Sequence, residues 1–197
     1  MKKSATKAIL TLAMALLTAP LMAQTATTAP APKKADLDFA VSFVAQRAFS
    51  AGTDTPFWLT GGKAEFGASM WHGLGAAIAV SGTHAASIGG SGIPVSYVVW
   101  TAGPRYRWHT GHRVSVYGEA MAGEANGFRS IFPAPTAAQP DANGLAVRAG
   151  FGIDLAVKKH FAIRALDASY LYSQLPNADT NKQHVMQLGA GVVFRFH

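Results

Sequence analysis

From Leu37 onward, apolar and polar positions alternate with a period of two. Between residues 145 and 157 the odd positions are Leu145, Val147, Ala149, Phe151, Ile153, Leu155 and Val157, all apolar. The even positions are Ala146, Arg148, Gly150, Gly152, Asp154 and Ala156, all small or charged. Residues 184–196 repeat the pattern, with Met186, Leu188, Ala190, Val192, Phe194 and Phe196 set against Gln187, Gly189, Gly191 and Arg195. Residues 37–49 do so again, with Leu37, Phe39, Val41, Phe43 and Phe49 against Asp38, Ser42 and Gln46. Successive side chains of a strand point to opposite faces, so each run predicts a strand with one apolar face.

Eight segments carry this alternation: 37–49, 61–71, 74–84, 96–107, 113–124, 143–157, 161–173 and 183–196. They are longer than the usual strand of about 5–6 residues. They match the roughly 9–11 residues a tilted strand needs to cross a bilayer. The gaps 50–60, 85–95, 125–142 and 174–182 are long and contain prolines. The gaps at His72-Gly73, around His109-Thr110-Gly111 and at Lys158-Lys159-His160 are tight. Long connections at one end and short ones at the other predict an all-β, eight-stranded antiparallel up-and-down transmembrane β-barrel. A soluble barrel also alternates. Its water-facing positions are usually richer in Lys, Glu and Thr than the Gly, Ala and Ser found here.

The alternation assigns a lumen. Asp38, Lys63, Glu65, Arg105, Arg107, Glu119, Arg148, Asp154 and Arg195 share the inward parity of their strands. Charges of both signs in a narrow space should pair, because an isolated buried charge costs several kcal/mol. Arg164 belongs with this network only if parity breaks, since it lies three residues from Asp167. A bulge near Leu166 is therefore predicted. An eight-stranded barrel is just wide enough for side chains to fill, so a closed plug is expected rather than an open path. Trp71, Tyr106, Trp108, Phe161 and Phe196 form a predicted aromatic belt at the short-turn end. Phe49, Phe57, Trp58 and Tyr172 form one at the other end.

The start of the chain changes the charge picture. Lys2, Lys3 and Lys7 precede an apolar run from Ala8 to Ala19 and small residues up to Ala23. This predicts a signal peptide over 1–23; a membrane-spanning helix would need about 20 apolar residues. A flexible Thr/Ala/Pro-rich tail follows over 24–36, and the barrel domain over 37–197. Removal of 1–23 lowers the formal charge from +7 to +4, and without Lys33 and Lys34 it is +2. Basicity then gives no reason to expect nucleic acid as a partner. Charged residues are 14% of the chain against about 25% in a typical soluble protein. The absence of cysteine excludes disulfides, thiolate chemistry and a lipoprotein anchor.

The last strand, with Gly191, Phe194 and Phe196, resembles the terminal assembly signal of bacterial outer-membrane barrels. Val116–Gly123, Gly150–Arg164 and Asp167–Tyr172 are similar to segments of the small eight-stranded outer-membrane β-barrel family. The resemblance spans roughly 37–197. It implies an outer-membrane location, outer-membrane lipid as surroundings, and insertion by the cell's barrel-assembly machinery. The family includes structural barrels, adhesins and a few enzymes, so it implies a fold more than an activity.

Candidate chemistry is thin. His109 and His112 have a His-x-x-His spacing without a nearby carboxylate to complete a metal site. His84 with Ser87, or His184 with Ser173, could serve a lipid-cleaving rim enzyme, but neither pair has a third member. Asp54, Asp141 and Asp179 are scattered singly over the outer loops. Phe128, Ile131 and Phe132 are candidates for contact with an extracellular ligand, since they lie in the longest predicted outer loop. The expectation is a structural or interaction protein without catalysis and without a cofactor. A narrow channel and a rim enzyme are the alternatives.

Overall fold

The computed structural model describes residues 35–50, 55–110, 113–134, 137–177 and 180–196. The signal peptide, most of the tail, Asp54, His112, Asp179 and His197 lie outside the described residues. Eight strands follow in order: β1 Asp36–Ser50, β2 Phe57–Trp71, β3 Leu74–Ala85, β4 Val95–His109, β5 Val114–Phe132, β6 Gln139–Lys158, β7 Phe161–Ser173 and β8 Gln183–Phe196. Each pairs antiparallel with its sequence neighbours, and β1 closes the ring against β8 from Leu37↔Phe196 to Ser50↔His184. Closure leaves no free sheet edge.

The wall is polarised in the opposite sense to a soluble protein. Its exposed large side chains include Phe43, Phe66, Ile78, Val80, Trp100, Phe151, Ile163 and Leu188. Its buried side chains include Asp38, Lys63, Glu65, Arg105, Arg164 and Asp167. Phe43 is 64% exposed while Arg164 is fully buried. An apolar band of this extent is stable only against hydrocarbon. The strands pair with both neighbours around the whole ring, so backbone groups bond within the wall, as a bilayer demands.

The tight end is built by short turns. His72 and Gly73 both take positive φ, 47° and 89°. That is the two-residue hairpin geometry whose twist matches the flanking strands. The chain also enters β1 and leaves β8 at this end. At the far end the strands reach beyond the alternating segments. β2 begins at Phe57, four residues before the predicted start.

The gap 125–142 is largely strand, where a loop was expected. Ala125 to Phe128 pair with Gly144 to Asp141, and Phe132 pairs with Gln139. Asn, Gly and Pro hide this hairpin from a periodicity test. Pro140 is tolerated because it falls where the register shifts between Phe128 and Phe132, so its missing N–H interrupts no regular ladder.

β7 contains the bulge. Arg164 pairs with Gly191 and Asp167 with Gly189, so β7 spends one residue more than β8 over this stretch. On the other side, Asp154 faces Arg164 while Ile153 faces Leu166. The extra residue lets both Arg164 and Asp167 point inward.

Candidate functional site

The lumen divides into a charged half near the short turns and an apolar half near the long loops. In the charged half, Asp38 from β1, Lys63 and Glu65 from β2, Arg105 and Arg107 from β4, and Glu119 from β5 meet Arg148, Asp154, Arg164 and Asp167 from β6 and β7. Arg164 donates to Asp154 at 2.9 Å and to Glu65 at 2.6 Å. Arg105 bridges Glu119 at 2.7 Å and Asp38 at 3.2 Å, and also pairs with Glu65. Arg107 bridges Asp38 at 3.1 Å and Asp154 at 3.0 Å. Arg148 reaches Glu119 at 3.0 Å. Lys63 pairs with Glu65 at 3.0 Å and with Asp167.

Each carboxylate holds at least two cations, and together the pairs tie β1, β2, β4, β5, β6 and β7 across the lumen. Five carboxylates face six cations. The sixth cation, Arg195, is half-buried at the short-turn mouth and donates to Ser115 at 2.7 Å.

Tyr117 sits at the centre. The guanidinium carbons of Arg164, Arg105 and Arg107 lie 4.4, 4.7 and 5.8 Å from its ring centroid. The negative ring face suits these cations. Gly152 makes the space, since a Cβ there would stand about 2.5 Å from the Tyr117 ring. Gly67 does the same for Arg105, whose Nη1 would lie 2.5 Å from an added Cβ.

Above the charges lies a neutral polar layer. Gln46 donates to Gln187 at 2.9 Å and accepts from Thr83 at 3.0 Å. Higher still, inward positions turn apolar: Ala48, Phe57, Leu59, Val95, Val99, Leu171 and Val185 form one cluster. Leu175 from the β7–β8 loop and Phe132 from the end of β5 cover it, with Ile88 packed against it.

All ten residues of the expected lumen network face inward, nine buried and Arg195 half-buried. Two members of the observed network were not in that set: Asp167, whose parity the bulge inverts, and Tyr117, which shares the inward parity of Ser115 and Glu119. Phe194 and Phe196 face outward, with Phe194 5.8 Å from Phe161, and Gly191 faces inward across from Ser42.

The outer-loop candidates separate. Ile131 is 60% exposed, Phe128 is half-buried, and Phe132 is 5% exposed with its ring turned in over Gly127. Phe132 is thus core, contrary to the expectation of an exposed contact residue. Phe57 likewise faces the lumen and not the outer belt.

The rim pairs are not those written from sequence. His84 bonds Ser96 at 2.9 Å, while the Ser87 hydroxyl accepts from Gly92 N–H. His184 bonds Tyr170 on the outer wall, and Ser173 is buried on the lumen side of the sheet, so the two cannot meet.

A family profile described as "Outer membrane protein beta-barrel domain" matches residues 9–196. The chain belongs to this family. This outer-membrane barrel is similar in fold to neisserial surface protein A, NspA, at 14% identity and a TM-score of 0.62 over 83% of this chain and all of that one. It is also similar to Ail of Yersinia pestis in complex with the heparin analogue sucrose octasulfate, at 19% identity and 0.54, over 83% and 100%. A third is the outer membrane protein OprG of Pseudomonas aeruginosa, at 14% and 0.52, over 84% and 98%. No curated protein matches the chain. The barrel therefore sits in the outer membrane, surrounded by its lipid.

Proposed function

We propose that this outer-membrane barrel is a non-catalytic structural or interaction protein with a lumen closed by its own ion pairs. The observation that carries the reading is the layer of buried salt bridges linking Asp38, Glu65, Glu119, Asp154 and Asp167 to Lys63, Arg105, Arg107, Arg148 and Arg164. These side chains fill the cross-section of a barrel of this size. Their mutual pairing leaves little free charge to draw an ion through.

Residues 1–23 serve as the export signal and 24–36 as a linker to the barrel over 37–197. Gly191, Phe194 and Phe196 are what the barrel-assembly machinery reads on the last strand. Interaction with an extracellular partner falls to the long-loop end, where Ile131 and Phe128 are accessible.

The test is conductance of purified, refolded protein in planar bilayers, with folding confirmed by a band that shifts on boiling. No discrete current steps above lipid alone are expected. Regular steps from the unaltered protein would establish a channel instead. Acyl chains of membrane lipid recovered from cells making the protein should be unchanged; their loss would establish a rim enzyme.

A further inference from the structure

The long-loop end holds a cavity of about 240 Å³ that the closed-lumen reading leaves without a role. It is roofed by Ile88 and Ile93 of the β3–β4 loop and by Ile131 and Phe132 of the outer hairpin, with Val95 and Phe57 below. No lining residue carries a charge. Ser91, Ser130 and Asn177 add polar groups to the lining, and one polar pair is buried in it: the Tyr97 hydroxyl donates to Gln183 Oε1 at 2.5 Å. The hydroxyl oxygen keeps lone pairs that can accept a further hydrogen bond. Ile131, 60% exposed at the rim, offers an apolar edge to a molecule arriving from outside.

We propose that this cup binds a small uncharged amphiphile: an apolar body with a single hydroxyl-type donor, taken from the external medium. Size selects it, because benzene occupies a cavity of about 150 Å³, and the larger volume here suits about ten non-hydrogen atoms. Neutrality selects it too, since an ion entering this lining would meet no counter-charge and pay its desolvation unaided. The donor end bonds the Tyr97 oxygen and the body lies against Ile93, Val95 and Phe57. The charged layer beneath makes the cup a dead end, so the site is one of capture and not of passage.

The test is a titration of 2-naphthol into the full mature protein in lipid nanodiscs, followed by amide chemical shifts. Saturable shifts at Tyr97, Gln183 and Ile93 are expected. 2-Naphthalenesulfonate, with the same rings and a fixed charge, should bind at least about tenfold more weakly. Ser130→Trp, which fills the cup from the hairpin, should lower affinity at least about tenfold. Ile93→Trp blocks from the facing loop and serves if the first variant does not fold, as judged by the boiling-dependent gel shift.

Shifts confined to the outward wall at Val80 and Leu188 would mean partition into lipid and overturn the proposal. Absence of saturation, or equal binding of the sulfonate, would overturn it as well. Broadening of Ile93 and Tyr97 by lipid spin-labelled at its acyl terminus would assign the cup to a membrane acyl chain, not to a soluble molecule. None of these readings involves current, so a conducting lumen would leave this test intact.

Discussion

The two halves of the lumen solve the same filling problem by opposite means. Near the short turns the strands are joined by charges that, Arg195 aside, each hold two to four partners. Near the long loops they are joined by Phe57, Leu59, Val95 and Leu171, which have no directional demands. The difference teaches where rigidity and where adaptability belong. A buried ion pair is intolerant of losing one member, because the other is left charged and desolvated. An apolar cluster is tolerant of changes in shape. The charged half thus fixes the barrel, and the apolar half is free to shape a mouth.

Removing one charge should break this contrast most strongly. Arg164→Ala takes from Glu65, Asp154 and Asp167 the one cation that all three share and should cost about 3–5 kcal/mol, read as a lower urea midpoint for unfolding from lipid vesicles. An unchanged midpoint would mean that the network carries no stability. Leu59→Ala in the apolar half should cost less, about 2–3 kcal/mol, by lost contact and a residual cavity, on the same assay.

Replacing a charged pair together sharpens the comparison further. Lys63→Met with Asp167→Leu should change stability by less than about 1 kcal/mol, whereas Lys63→Met alone should cost several times more. A double variant as weak as the single one would show that apolar filling cannot substitute in this half. Smallest of all, Tyr117→Phe keeps the ring under its three guanidiniums and should cost under about 1 kcal/mol; Tyr117→Ala in the same denaturation series provides the contrast.

The charged half was legible in the sequence because its signal is contrast. Asp38 between Leu37 and Phe39, or Arg148 between Val147 and Ala149, tells inside from outside by chemistry alone. The apolar half was not legible for the same reason inverted. Leu59 and Val99 point inward beside Trp58 and Trp100 pointing outward, so both parities read as apolar. That is why Phe57 was placed on the outer belt and Phe132 on the surface. The hairpin over 125–142 is hidden by Asn126-Gly127 and Pro140, residues that mark turns when read locally. Cross-strand pairing with a neighbour overrides that local preference. Parity alone does not place Asp167, because its side depends on the bulge between Arg164 and Asp167.

That bulge has a consequence for how β7 can change over generations. A strand in a closed ring is read in twos, so losing one codon inverts every side chain beyond the loss. β7 already carries a spare residue at Ala165 and Leu166. Loss of Ala165 would remove the bulge and leave Arg164 and Asp167 both facing in. Loss of Ala168 would oblige the strand either to turn Asp167 toward hydrocarbon or to present Ser169 there. The bulge is the one place where β7 can shed a codon without inverting its ladder, and single-residue length differences among descendants of this gene should collect there.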